Sequence, residues 1–147
     1  MTVSPFAPHH TAWYGWGNMT HVKPTLFVCC NCPNEKQSGP CACAADEGEA
    51  LFAALQERVG ETPVLAKAVT VAQVACMGGC ETPCSVAFAA PGKESLLFGH
   101  MGLAQVEDIL ACFTTYVAGE AGHRMAWAER PASMQKTLMV RIPAPGA

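Results

Sequence analysis

Apolar and polar residues follow two different periods along this chain, and each change of period marks an element. Thr25-Leu26-Phe27-Val28-Cys29 is a short, partly β-branched apolar run that predicts a buried strand. From about Glu47 to Val59 the apolar positions Leu51, Phe52, Leu55 and Val59 recur at helical spacing. Asp46 suits the N-cap there, Glu49 the capping-box partner and Gly60 the stop. Leu65 to Ala75 predicts a second strand, with Val69 and Val71 on one face and Ala68, Thr70, Ala72 and Val74 on the other. Ser85 to Ala89 and Ser95 to Gly99 predict a hairpin through Ala90-Pro91-Gly92-Lys93, where Pro then Gly suits the centre of a type II turn. A last helix from about Ala104 to Ala118 carries Val106, Ile109, Leu110, Phe113 and Val117 on one stripe and ends at Gly119. The order β-α-β-β-β-α makes an α/β domain over residues 24–119. Residues 1–23, rich in Pro, His, Trp and Gly without a period, predict an irregular N-terminal arm. Residues 120–147 predict an extended C-terminal tail packed on the domain, in which Leu138-Met139-Val140 suits a short strand.

A chain of 147 residues that is 50% hydrophobic and 14% charged has the material for one compact core. The net charge of −3, from nine basic and twelve acidic residues without a dominant block, offers little field for nucleic acid. No apolar run approaches the roughly 20 residues a membrane crossing needs, and the first residues show no export signal. The expectation is a cytoplasmic protein, without membrane or nucleic-acid partners.

Nine cysteines are the feature that changes this picture. Their number is odd and no export signal accompanies them, so metal binding or redox chemistry is expected in place of a disulfide framework. Five fall between Cys29 and Cys43, in a loop of turn formers after the first strand. Three more, Cys76, Cys80 and Cys84, follow the second strand. The strands of a β-α-β unit are normally parallel and share an end, so both clusters should meet at the carboxyl edge of the sheet. Four thiolates there suit a [2Fe-2S] cluster, and the same soft donors suit zinc. Gly78 and Gly79, between Cys76 and Cys80, allow a bare, tight loop whose amides can point at the sulfurs.

The segments Phe27-Val28-Cys29-Cys30-Asn31-Cys32, Cys76-Met77-Gly78-Gly79-Cys80-Glu81-Thr82-Pro83-Cys84-Ser85-Val86-Ala87, Ala90-Pro91-Gly92-Lys93 with Leu97-Phe98-Gly99, Arg130-Pro131 and Arg141-Ile142-Pro143 carry a resemblance. Over about residues 25–143 the chain resembles a bacterial family of predicted metal-binding proteins of unknown function, related to the thioredoxin-like [2Fe-2S] ferredoxins. The resemblance implies a thioredoxin-like fold with a mixed central sheet, a thiolate-bound cluster and one-electron transfer to a redox protein partner, with no catalysed reaction. It suggests a homodimer and a link to cobalamin or cobalt metabolism. By the ferredoxin pattern the ligands are Cys29, Cys43, Cys76 and Cys80, with Cys32, Cys41 and Cys84 as alternates. The chain departs from that pattern in the crowding of its first loop and in Cys84.

Other readings compete residue by residue. Cys112, on a helix stripe, reads as a small buried hydrophobe. A zinc- or cobalt-binding accessory protein, with His9, His10 and His21 as transit ligands, is the alternative for the whole chain, although a solvated arm accounts for those histidines. A thiol oxidoreductase would cycle Cys29 and Cys32, but Pro33 and Pro40 set that pair in a loop and the second cluster is left unexplained. Trp13, Tyr14 and Trp16 suit either partner docking or folding back on an apolar surface. His100 and Met101 either lie near the site or fill space, and Lys93 reads as a solvated turn residue. Asp46, Glu47 and Glu49 suit helix capping better than partner steering.

Overall fold

The computed structural model describes residues 22–30, 47–79, 82 and 84–146. Thr25–Cys29 forms β1, Glu47–Gly60 α1, Pro63–Ala68 α2, Thr70–Val74 β2, Val86–Ala89 β3, Ser95–Phe98 β4, Val106–Ala118 α3 and Leu138–Ile142 β5. Among the described residues the strands form one sheet in the order β2-β1-β3-β4-β5. β1 and β2 are parallel, with Cys29 beside Val74. The β1–β3, β3–β4 and β4–β5 pairs are antiparallel, so the sheet is mixed, as the resemblance implies.

Strict alternation on the central strands makes the core. Leu26 and Val28, Val86 and Phe88, and Leu96 and Phe98 all point to one face and are at most 1% exposed. Leu51, Leu55 and Val59 of α1 and Ile109, Phe113 and Tyr116 of α3 join them in one hydrophobic cluster. Phe88 sits at its centre, with ring centroids 5.1 Å from both Phe98 and Phe113 and 5.5 Å from Tyr116. Tilted rings at this spacing add to the burial of their area. Arg58 of α1 grips Glu107 of α3 with Nε and Nη2 at 2.7 and 3.0 Å, an exposed clamp between the two helices.

Two expectations are corrected. Leu65 to Ala68, expected to open the second strand, is the end of α2. Pro63 presets the first helical turn, Leu65 to Ala68 are good helix formers, and the Val69 N–H donates to the Leu65 carbonyl at 3.0 Å before the chain extends. Lys93, expected as a solvated turn residue, reaches across to α3. Its Nζ donates to the Tyr116 and Val117 carbonyls at 2.8 and 2.9 Å and to that of Gly119, capping the last turn with a cation. The turn that carries it has the expected form, with Gly92 at φ 70° and the Lys93 N–H donating to Ala90 at 3.2 Å.

Leu138–Ile142 pairs with β4 along its length as β5, an edge of the sheet. The expected N-cap Asp46 lies outside the described residues. Among the described residues no helix is long and apolar enough to cross a membrane.

Candidate metal centre

The parallel pairing of β1 with β2 decides where the thiols go. Because Cys29 lies beside Val74, both chains leave the sheet at the same edge, and Cys76 follows two residues later. The Cys30 N–H donates to the Val74 carbonyl at 2.9 Å and the Cys29 N–H to the Ser85 carbonyl at 3.0 Å. Three strand ends are thereby pinned together, and Cys29, Cys76 and Cys84 are all carried to one edge. Of the nominated ligands, Cys29 is buried at 3% exposure and Cys76 is exposed. Cys43 and Cys80, with the alternates Cys32 and Cys41, lie outside the described residues. The alternate Cys84 is fully buried and packs into the hydrophobic core cluster. Among the described residues no three His, Cys, Asp or Glu side chains form a metal-binding group.

The loop after β2 has the form its glycines predict. Gly78, at φ 77°, turns its N–H onto Cys76 Sγ at 3.3 Å. An N–H aimed at sulfur is the kind of outer contact that supports a metal-bound thiolate. Gly79 is buried, and a Cβ there would run into Ser85 Oγ, so the loop closes against the start of β3 only because that position is bare. Thr82 closes the turn with its N–H on the Gly79 carbonyl at 3.0 Å and its hydroxyl on the same oxygen at 3.3 Å. The segment after β4 ties the far side. The His100 N–H donates to the Thr82 carbonyl at 3.0 Å, and Cys84 and Met101 exchange backbone hydrogen bonds at 3.1 and 2.9 Å. His100 takes φ 57°, the left-handed region that a non-glycine residue seldom enters. His100 and Met101 thus hold the cysteine loop through backbone groups, the former exposed and the latter buried.

The other side of the edge is α1. Gly48 is buried against the end of β1, where a Cβ would collide with the Cys29 carbonyl oxygen and stand 3.0 Å from Cys30 Cα. The N-terminal turn of the helix, whose first N–H groups have no partner within the helix, is therefore seated directly on the strand that delivers Cys29. Cys30 is held by the same packing. Its thiol faces the carbonyls of Val28 and Gly48 at 3.5 and 3.6 Å. Burial, with the neighbouring Cys29 and Glu49, pushes it above the usual thiol range against the hydrogen bonds of Gln73 and Val74.

Gly48, Thr82 and Ser85 are positioning residues that the periodicity of the sequence does not reveal. The signal available for the last two is the Gly-Gly pair followed within six residues by Thr and Ser, small hydroxyl residues that close turns. For Gly48 the signal is a glycine inside the first turn of a helix, where alanine would otherwise be the better residue.

This architecture is the thioredoxin-like fold. The structure of a thioredoxin-like [2Fe-2S] ferredoxin from Aquifex aeolicus aligns with TM-score 0.58 and 17% identity, over 85% of this chain and 97% of that one. A cysteine-to-serine variant of the thioredoxin-like [2Fe-2S] ferredoxin from Aquifex aeolicus aligns with TM-score 0.55 and 18% identity, over 80% and 98% of the respective chains. Likeness at that identity defines the fold. The chain belongs to the family described as "Protein of unknown function (DUF1636)", whose model matches residues 26–144. No curated protein matches it.

Proposed function

We propose that this protein is a thioredoxin-like [2Fe-2S] ferredoxin that passes single electrons to a protein partner and catalyses no reaction itself. The observation that carries the proposal is the Cys29–Val74 register, which brings Cys29 and Cys76 to one edge of the sheet with the Gly78 amide turned onto Cys76 Sγ. The donor set fits: soft sulfurs from two loops, a backbone N–H directed at one of them, and glycines where side chains would obstruct close approach. Cys29, Cys43, Cys76 and Cys80 are the proposed ligands, with Cys41 the nearest substitute for Cys43. When bound, the cluster supplies reversible one-electron chemistry. The protein's part is to hold the thiolates, direct amides at them and shield the Cys29 side from water. The burial of Cys29 at 3% exposure counts against the thiol-exchange reading, which needs an accessible nucleophile.

The test is iron, sulfide and zinc analysis of anaerobically purified protein, with visible absorption and electron paramagnetic resonance of the same sample. Brown protein with equal iron and sulfide, giving a paramagnetic signal on reduction and losing its spectrum in Cys80→Ser, is the expected outcome. Colourless protein carrying zinc or cobalt overturns the proposal in favour of an accessory protein. Metal-free protein with a cycling Cys29–Cys32 pair overturns it in favour of thiol chemistry.

A further inference from the structure

Arg130 and Arg141, which the thiol site does not use, meet at the opposite end of the sheet. Arg141 pairs with Leu96 near the start of β4, on the side where β1 has Thr25 beside Ala89, whereas the thiols leave from Cys29. Arg141 Nη1 donates to both oxygens of Glu94, each at 2.6 Å, and Nη2 donates to the Met125 carbonyl at 2.8 Å. The Met125 N–H completes the ring on Glu94 Oε1 at 2.8 Å. Glu94 is 6% exposed, and this one carboxylate and the partly buried Arg141 neutralise each other.

Arg130 has no such partner. It is 8% exposed, and its Nε is buried without a hydrogen-bond partner among the described residues. Burial and the neighbouring Arg141 charge pull it below the ordinary arginine value, against Cys112 and Glu94. The Glu129 carboxylate nearby in sequence is taken up by His123 at 2.9 Å and by the Ala126 N–H at 2.5 Å. Arg130 lines a cavity of about 340 Å³ together with Arg124, Arg141, Met125, Ala126 and Trp127. A second cavity of about 290 Å³ adjoins it across Arg124 and Arg141. Three guanidinium groups line the first cavity, against Glu94 in the second and Glu129 beside Ala126 and His123, so positive charge is in excess there, part of it on the buried Arg130. A buried N–H without an acceptor is rare, and strain, an ordered water or a ligand accounts for it.

We propose that this cavity binds the dianionic phosphate of a small phosphate monoester, with Arg124 and Arg130 taking its oxygens and Trp127 lying against the attached group. A phosphate monoester carries about −1.5 to −2 charges near pH 7, opposite in sign to the excess. Guanidinium forks suit its oxygens, and the volume lies at the low end of small-molecule pockets. The half-exposed Trp127 supplies an apolar wall beside the cations.

The test is calorimetric titration of the full-length protein with phenyl phosphate, run beside inorganic phosphate and succinate. Expected are saturable one-to-one binding of phenyl phosphate and weaker binding of inorganic phosphate. A loss of about tenfold or more is expected in Arg124→Ala, a variant of an exposed side chain that leaves the fold intact. Trp127→Ala should weaken phenyl phosphate and leave inorganic phosphate unchanged. Absence of saturable binding overturns the proposal, as does binding that Arg124→Ala does not alter. Succinate binding as tightly as phenyl phosphate overturns the assignment to phosphate. None of these readings depends on the thiols or on what they hold.

Discussion

Replacing Gly48 with alanine sets two effects of known sign against each other. Alanine is the better helix former by about 1 kcal/mol in a helix interior, and less in the first turn, so propensity alone makes Gly48→Ala stabilising. Packing acts the other way. The new Cβ meets the Cys29 carbonyl oxygen, Cys30 Cα at 3.0 Å and the Cys29 carbonyl carbon at 3.3 Å, all of them backbone atoms with no rotamer to yield. The strand cannot move aside, because the Cys29 and Cys30 amides are fixed to Ser85 and Val74 at 3.0 and 2.9 Å. Relief has to come from α1, whose Leu51 and Leu55 are fully buried in the core. Overpacking of this kind costs about 1 to 3 kcal/mol, so Gly48→Ala should be destabilised by roughly 2 kcal/mol after the propensity gain. Gly60→Ala is the matched control, since nothing lies within 4 Å of a Cβ at the other end of the same helix. It should be neutral or up to about 1 kcal/mol more stable. Urea unfolding followed by far-ultraviolet circular dichroism measures both. A Gly48→Ala protein as stable as wild type would show that α1 does not press on the end of β1, and would remove the packing described for the thiol edge.

Lys93→Met removes the cation from the end of α3 while keeping most of the apolar stem, and should lower the unfolding free energy by about 1 to 2 kcal/mol. Amide exchange in the last turn of α3 should quicken with it; unaltered exchange there would refute the capping role. Alkaline stability has a sign fixed by Cys112 and Tyr116, both pushed up to about 12 by burial from ordinary values of 9.0 and 10.0. The unfolded chain gives up these protons first, so stability is whole below about pH 9 and falls as pH rises to about 12. The slope approaches about 1.4 kcal/mol per pH unit per group. Equilibrium unfolding across that range should show the decline, and Cys112→Ala should remove its lower part; a flat profile would contradict the burial of both groups.

Most of the fold is legible in the sequence because the central strands are strictly amphipathic. Leu26 and Val28, Val86 and Phe88, and Leu96 and Phe98 alternate with less buried residues, and that period of two survives into the structure. Where the pattern misleads, local chemistry outweighs it. Leu65 to Ala75 is apolar enough to suggest one strand, yet Pro63 presets a helical turn, and the strand begins only where pairing with β1 becomes available at Thr70. Lys93 is misread for a related reason: a turn residue is judged by its neighbours in sequence, and the carbonyls it caps are 23 to 26 residues away. The delivery of Cys29 and Cys76 to one edge is legible because a right-handed crossover leaves a β-α-β unit little choice of edge. What holds that edge is not, because Gly48 and Gly79 act through the side chains they lack. The arginine cavity is hidden further still, since Arg130 and Arg141 become neighbours only after β5 is laid beside β4. Pairing within one hairpin can be read from spacing; a contact that depends on a strand returning forty residues later requires the assembled sheet.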